Sequence, residues 1–186
     1  MTMEELLQDA ARRMDRSTEA AQADFNTIRT GRASSALLDR VQVDYYGQQT
    51  PLNQLATINV PEPRLLTIQP FDPSSLKTIE RALQESELGV TPSNDGKVIR
   101  LPMPQLTEER RKDLVKQVRR LAEEGRTAVR NVRRDAIQQL KELAVSGEVG
   151  DDEERRAEER VQRLTDEHTK KIDELLKHKE ADIMEV

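Results

Sequence analysis

Cysteine and tryptophan are absent from this 186-residue chain, and other ring side chains are few: two tyrosines, two phenylalanines and two histidines. Without cysteine there is no disulfide framework, no thiol nucleophile and no thiolate metal site. So few aromatic rings disfavour a large aromatic ligand pocket and leave little for stacking on nucleobases. We therefore expect no metal and no cofactor.

Long hydrophobic runs are also missing. No stretch approaches the ~18 consecutive apolar residues of a membrane span. The first residues, MTMEEL, are acidic and lack the apolar segment of a signal peptide. These features predict a cytoplasmic protein with no membrane partner.

Charge, by contrast, is abundant. Charged residues make up 35% of the chain, the same share as hydrophobic residues, and the formal net charge is −5. This composition is typical of long amphipathic helices, which bury one stripe and leave the rest in water. The acidic balance disfavours generic nucleic-acid binding, so any RNA contact must come from a local basic surface.

The spacing of apolar residues changes along the chain. Steps of three and four residues predict a helix over residues 4–29. Alternation then predicts strands at 41–45, 56–60, 65–68 and 98–101, with turns at 46–47, 61–63 and 92–96. Asp72 and Pro73 predict the N-cap and first position of a short helix, and Gly89 predicts its stop.

Helical spacing resumes after residues 102–104, PMP, which cannot be helical. Thr107 predicts the N-cap of a long helix that ends before residues 146–147. Its predicted apolar stripe comprises Leu114, Val118, Leu121, Ala128, Val132, Ala136, Leu140 and Leu143. Asp151 starts a last helix, with Glu154 placed for a carboxylate version of a capping box.

Three long helices with single apolar stripes are not stable alone, because helix stability in proteins comes mainly from packing. We therefore predict an α+β protein. A discontinuous three-helix bundle is formed by residues 1–29 and 106–186, and a small α/β domain, residues 31–104, is inserted in it. The linkers near residues 30–31 and 102–105 must then lie side by side, which is typical of a hinge.

The most informative segment is 108–134, which holds ten lysines and arginines against five acids. At 100° per residue, five of its cations fall within about 60° of one another, on a stripe roughly 32 Å long. These five are Lys112, Arg119, Arg126, Arg130 and Arg133. One interpretation is a solvated helix face with local ion pairs. The other is RNA backbone binding, because arginine suits bidentate phosphate contacts.

Enzymatic motifs are missing, so we expect no catalytic residue. No glycine-rich loop precedes a helix, and no metal-ligand spacing involves the two histidines. His168 lies on the apolar stripe of the last helix, which favours a packed role. The acidic run at 151–154 is typical of a helix N-terminus. Tyr45 and Tyr46 should lie on opposite faces of a strand, one in the core and one at the surface.

Four stretches resemble the signature segments of ribosome recycling factors: residues 28–34 (IRTGRAS), 45–47 (YYG), 106–112 (LTEERRK) and 129–135 (VRNVRRD). Their order and spacing match over the whole chain. The resemblance implies an L-shaped monomer with a three-helix bundle and a small β/α/β domain. It implies binding to the 70S ribosome and the 50S subunit through 23S rRNA. It also implies subunit splitting with elongation factor G and GTP, and no catalysis by the chain itself.

The resemblance also implies roles for particular residues. The expected rRNA-binding residues are Arg130 and Arg133, with Arg126, Arg134, Arg110 and Arg29 as neighbours. Arg119 and Lys112 are added to this set because they lie on the same basic stripe of the helix, not because of the resemblance. Gly31 and the segment from Pro102 to Pro104 match the family's hinge. Thr30, Arg32 and Gln105, which flank these positions, complete the predicted hinge residues.

Two other classes of protein compete with this interpretation. A coiled-coil scaffold is compatible with composition and periodicity, and it predicts a dimer without salt-sensitive RNA binding. A hydrolase or transferase lacks a nucleophile–base pair or a metal cluster in the sequence. The resemblance favours ribosome recycling over both.

Overall fold

The computed structural model describes residues 1–185, which divide into two compact units. Met1–Arg29 and Glu108–Glu185 form the bundle unit, and Thr30–Thr107 form the sheet unit. The α-helices are α1 (Met3–Asn26), α2 (Leu76–Glu85), α3 (Glu108–Val145) and α4 (Asp151–Met184). The β-strands are β1 (Gln42–Tyr45), β2 (Gln48–Pro51), β3 (Ala56–Glu62), β4 (Leu65–Pro70), β5 (Ser93–Asn94) and β6 (Ile99–Pro102).

The bundle unit consists of α1, α3 and α4, each packed against the other two. A capping box starts α1: the amide of Glu5 donates to Thr2 Oγ1 at 3.1 Å, and the amide of Thr2 donates to Glu5 Oε2 at 2.8 Å. The helix ends at Asn26, three residues before the predicted end. Its core face is fully buried and comprises Leu6, Leu7, Ala10, Met14, Thr18, Ala21 and Phe25.

The buried face of α3 differs from the predicted stripe at its centre. Leu121 and Ala128 are only partly buried, whereas Ala122, Gly125 and Val129 are fully buried. Since glycine carries no apolar side chain, apolar periodicity alone could not place Gly125 in the core. The close approach of neighbouring helices decides this position.

The last helix begins at Asp151, as predicted, but the predicted capping box is wrong. Gly150 is the N-cap, and among residues 1–185 no side chain caps this helix. Asp151 is the first helical residue, so the acids at 151–154 fill the first turn. There they lie at the positive end of the helix dipole, which stabilises negative charge.

The sheet unit contains a four-stranded antiparallel sheet in the order β3-β4-β6-β5 and a separate antiparallel hairpin of β1 and β2. Helix α2 packs against β1. The fully buried core includes Val43, Leu52, Leu66, Ile68, Ile79, Leu83, Ile99 and Leu101. This mixture of long helices and a small sheet confirms the predicted α+β class.

Several local predictions for the sheet unit are wrong. Strand β2 was missed because its residues are polar and do not alternate. Strand β5 lies inside the predicted turn at 92–96, and β3 runs through the first two residues of the predicted turn at 61–63. A 3₁₀ turn, Pro73–Ser75, precedes α2, which ends at Glu85 rather than near Gly89.

Residues 1–185 contain neither a candidate membrane-spanning helix nor a candidate metal cluster. Within that range no helix combines the length and apolar character that crossing a membrane requires. In the same residues no three His, Cys, Asp or Glu side chains converge so as to hold a metal ion.

Candidate nucleic-acid interface

Three arginines of α3, spaced seven residues apart, extend across to α4. A seven-residue step returns a side chain to within about 20° of the same helix face. The shortest N–O contacts join Arg119 to Glu180 (2.7 Å), Arg126 to Asp173 (2.6 Å) and Arg133 to Gln162 (3.1 Å). The predicted basic stripe therefore follows the seam between α3 and α4.

Arg126 is held most firmly, because it binds two carboxylates. Its side chain is only 20% exposed and also donates to Glu123 on its own helix. Burial alone would lower the pKa of Arg126, but the hydrogen bonds and charges of Glu123 and Asp173 outweigh it and raise that pKa. Hydrogen bonds from Arg126 likewise hold the pKa of Glu123 below its usual value. Arg126 therefore does not belong to a solvated helix face: it cross-links α3 to α4.

The next turns of α3 carry excess positive charge. Residues 125–134 include four arginines and no acid. Arg130 is 49% exposed and donates from Nη1 to Glu123 Oε1 at 3.1 Å. Arg133 contacts a neutral amide, and its Nε is buried without a hydrogen-bond partner in residues 1–185. Arg134 is exposed and makes no side-chain hydrogen bond or ion pair within the described chain.

The other predicted contacts lie nearer the start of α3 or at the end of the α1 segment. Lys112 pairs with Glu108 at 3.4 Å, and both side chains are exposed. Arg119 is exposed although it is paired with an acid of α4. Arg110 and Arg29 are exposed. The acids beside this first half of α3 offset its positive charge, so the net positive surface lies at Arg130, Arg133 and Arg134.

The predicted hinge residues lie in two adjacent linkers. Gly31 has φ +76°, and a Cβ at this position would lie 3.3 Å from Leu106 Cγ, so the linkers touch within the sheet unit. Thr30 and Arg32 flank Gly31, while Pro104 and Gln105 lie in the irregular segment before Leu106. Pro102 is different.

The prediction that Pro102 is part of a linker is wrong in structural terms. Pro102 is the last residue of β6 and pairs with Leu65 of β4. The next residue, Met103, is tied as well, because its amide donates to the carbonyl of Arg64 at 2.7 Å. The irregular part of the second linker therefore starts after Met103.

His168 joins two helices of the bundle unit. Its Nδ1 lies 2.6 Å from the Leu164 carbonyl oxygen, and its Nε2 lies 2.7 Å from Asp15 Oδ1 of α1. The ring is 12% exposed. It is packed, as the apolar stripe predicts, and its acidic partner is 153 residues away in sequence, where spacing could not reveal it.

Comparisons with known proteins agree on one family. The family model described as "Ribosome recycling factor" matches residues 21–184. A ribosome-recycling factor of Rubrobacter xylanophilus is 57% identical over 180 residues, which are 97% of each chain. One from Halalkalibacterium halodurans is 57% identical over 182 residues, which are 98% of each chain. The chain belongs to the ribosome recycling factor family.

Solved structures of this family have the same fold. A solution structure of the ribosome recycling factor is 40% identical, with a TM-score of 0.69 and coverage of 100% of this chain and 99% of that one. A second is 46% identical, with a TM-score of 0.62 and full coverage of both chains. It comes from models for the T. thermophilus ribosome recycling factor and the E. coli elongation factor G bound to the E. coli post-termination complex. These findings confirm the family that the four sequence segments indicated.

Proposed function

We propose that this chain is a ribosome recycling factor that binds the post-termination ribosome. With elongation factor G and GTP it promotes splitting of the subunits and release from mRNA. The observation that carries this proposal is the match to ribosome-recycling factors over 97–98% of both chains. A structural relative at 46% identity, described on the post-termination complex with elongation factor G, supports the choice of partners.

The chain acts in this proposal as a cytoplasmic monomer without catalytic residues or cofactors. The 70S ribosome and the 50S subunit are its docking partners, and elongation factor G binds and hydrolyses the GTP. Since the chain carries a net charge of −5, general attraction to RNA is not available to it. Docking on 23S rRNA therefore needs a concentrated basic surface.

That surface is the arginine-rich part of α3. Arg130, Arg133 and Arg134 carry charge that nearby acids do not fully offset, as the acid-free run at 125–134 requires. Guanidinium groups bind phosphate oxygens in a fork geometry, which gives position without reading sequence. Arg126 has a supporting role, because it holds Glu123, which in turn holds Arg130. Arg110, Arg29, Arg119 and Lys112 are peripheral contacts in this proposal.

The two linkers are the proposed hinge. Gly31 adopts a left-handed backbone conformation that other residues disfavour, and Pro104 limits the conformations of the second linker. Thr30, Arg32 and Gln105 lie beside them, outside the helices and strands of the described chain. Pro102, fixed in β6, serves as the boundary of the hinge rather than as its moving part.

Subunit splitting tests this function directly. Post-termination complexes are mixed with the purified chain, elongation factor G and GTP, and light scattering follows the loss of 70S particles. We expect a fall in scattering that requires all three components. The control replaces GTP with a non-hydrolysable analogue. If the folded chain leaves the scattering at the level seen with elongation factor G alone, the proposal is wrong. A dimeric mass of the purified chain would then favour the coiled-coil scaffold.

A further inference from the structure

Three of the four aromatic side chains of the protein lie together at one part of the sheet unit. These are Tyr45, Tyr46 and Phe71, which we call the aromatic patch; the fourth, Phe25, is buried in the bundle unit. The rings of Tyr45 and Tyr46 meet edge to face with centroids 4.5 Å apart. The hydroxyl of Tyr45 donates to Asp72, the residue after Phe71, at 3.2 Å.

Two members of the aromatic patch face water. Tyr46 is 81% exposed and Phe71 is 66% exposed. Large rings in water contribute little to folding, whereas exposed aromatic residues are the side chains most often found at the energetic centres of protein interfaces. In a chain with so few aromatic residues, this placement indicates a binding role.

The backbone at Tyr46 supports the same conclusion. Tyr46 and Gly47 connect β1 to β2 as a two-residue turn, and their φ angles are +51° and +83°. Positive φ at both central positions is the mark of a type I′ turn, which favours Asn, Asp and Gly. A tyrosine is strained there. Its ring is exposed, so folding does not compensate for the strain, and such outliers point to function.

The aromatic patch is held rigidly. Asp72 accepts from Tyr45 at one oxygen, and at the other it accepts from the amide and hydroxyl of Ser74 at 3.0 and 2.7 Å. The amide of Phe71 donates to the carbonyl of Leu55 at 3.0 Å. A surface that is already ordered loses less entropy when a partner binds.

The charge beside the aromatic patch selects the partner. Residues 41–76, which supply all three rings, contain three acids, Asp44, Glu62 and Asp72, against one base, Arg64. This segment therefore carries a net negative charge. Hydrogen bonds from Ser74 hold the pKa of Asp72 below its usual value, so this carboxylate stays charged at neutral pH. Phosphate groups are repelled by such a surface. Arginine and lysine are attracted to it, since cations bind both carboxylates and aromatic faces.

We propose that the aromatic patch docks a lysine- or arginine-bearing protein surface within the post-termination complex, and does not dock RNA. Tyr46 and Phe71 supply the ring faces, and Asp44 and Asp72 supply the negative charge. This inference rests on the proposed function, because it assumes that the chain binds within the post-termination complex. It assigns a partner surface to the sheet unit, whereas the arginines of α3 are the proposed RNA contacts of the bundle unit. The two units thus contact different chemistry: the bundle unit contacts phosphate and the sheet unit contacts protein.

A photo-cross-linker in place of Tyr46 identifies the partner. Benzoylphenylalanine at this position keeps an aromatic ring and is irradiated in complexes of ribosome, elongation factor G and GTP that the unmodified chain is shown to split. We expect adducts with protein, mapped by mass spectrometry to a segment rich in lysine or arginine. Adducts with RNA, adducts with an acidic segment, or no adducts would overturn the inference.

Substitutions test the energetic role of the rings. Tyr46→Asn restores the residue that a type I′ turn prefers, so the hairpin is preserved while the ring is lost. Combined with Phe71→Gln, it should raise the concentration needed for half-maximal splitting at least about tenfold, the usual effect of losing an interface hot spot. Val60→Thr is the control, because Val60 is exposed in the same unit but lies four residues along β3 from Ala56, which pairs with Pro70.

The outcomes separate this inference from the proposed function. If the unmodified chain does not split ribosomes, the proposed function is wrong and the inference falls with it. If the unmodified chain splits ribosomes and the double variant does so at the same concentration, the inference alone is overturned. A double variant that is at least as stable as the unmodified chain in unfolding curves shows that any loss of splitting comes from the rings.

Discussion

Gly125 lies in the core of the bundle unit, where α3 meets α1 and α4 closely. A Cβ at this position would lie 3.1 Å from the Cβ of Ala21 and 3.2 Å from Cδ1 of Ile172. Both distances are shorter than a normal contact between carbon atoms, which is about 3.5–4.0 Å. Gly125→Val adds this Cβ and two further methyl groups, so α3 must move away from its neighbours.

Two terms set the size of the effect. Replacing glycine by valine within a helix gains about 0.3 kcal/mol in helix propensity. Inserting extra methyl groups into a packed core costs typically about 1–3 kcal/mol. Packing wins, so we expect a net loss of roughly 1–3 kcal/mol from the free energy of unfolding. For a domain of this size the midpoint of thermal unfolding should fall by roughly 5–15 °C.

Circular dichroism at 222 nm measures this change, because three of the four α-helices belong to the bundle unit. Thr127→Val is the matched control: it places valine two residues away at an exposed position of the same helix. The control should change the midpoint by no more than about 2 °C, within the usual range of surface substitutions. A Gly125→Val protein as stable as the unmodified chain would refute the packing argument.

Three further predictions concern single side chains. Asp72→Asn keeps a capping acceptor but loses the negative charge. Because hydrogen bonds lower the pKa of Asp72 from 3.8, the unmodified chain should be more stable than the variant at pH 7. In acid-unfolding curves this difference should disappear as the pH falls below about 4. Arg126→Met removes the contacts of a largely buried guanidinium group with Glu123 and Asp173, so it should lower the free energy of unfolding in urea by about 1–2 kcal/mol. Arg13→Ala removes an exposed ion pair with Asp135 and should change the same quantity by less than about 1 kcal/mol. If the last two substitutions lowered the free energy of unfolding equally, burial of the arginine would not explain the strength of its ion pair.

The sequence predicted the helices well because their signals are repeated many times. Each long helix carries a stripe that recurs over several turns, and the breaks at Gly31 and Gly147 coincide with positive φ angles. Short polar elements gave no such signal. Strand β2 pairs with β1 through backbone hydrogen bonds, which any side chain permits, so the alternation rule could not detect it.

The candidate site was predicted in part. The position of the arginines on one face of α3 follows from helical geometry, and the structure has them along one seam. Their partners could not be predicted, because Glu180 and Asp173 are 61 and 47 residues distant from the arginines they bind. The ion pair within α3 could be predicted, because Glu123 lies three residues before Arg126, a spacing at which helical side chains meet.

The backbone strain at Tyr46 is a feature that could not be predicted from the sequence. The dipeptide of residues 46–47 was predicted as a turn, and the turn is present. Its conformation was not predicted, because a tyrosine in that place opposes the preference of a type I′ turn. Sequence rules describe what favours folding, so a residue that opposes folding is visible only in the structure.

Salt-dependent co-sedimentation with 50S subunits measures whether the arginines of α3 dock the chain on ribosomal RNA. The comparison is between the unmodified chain, Arg130→Ala/Arg133→Ala, and Arg12→Ala/Arg16→Ala, which removes the same charge from α1. We predict that the α3 variant binds much more weakly and that its slope of log affinity against log salt is smaller by about 2. The α1 variant should keep the slope of the unmodified chain. Equal loss in both variants, or no binding by the folded unmodified chain, would contradict the account.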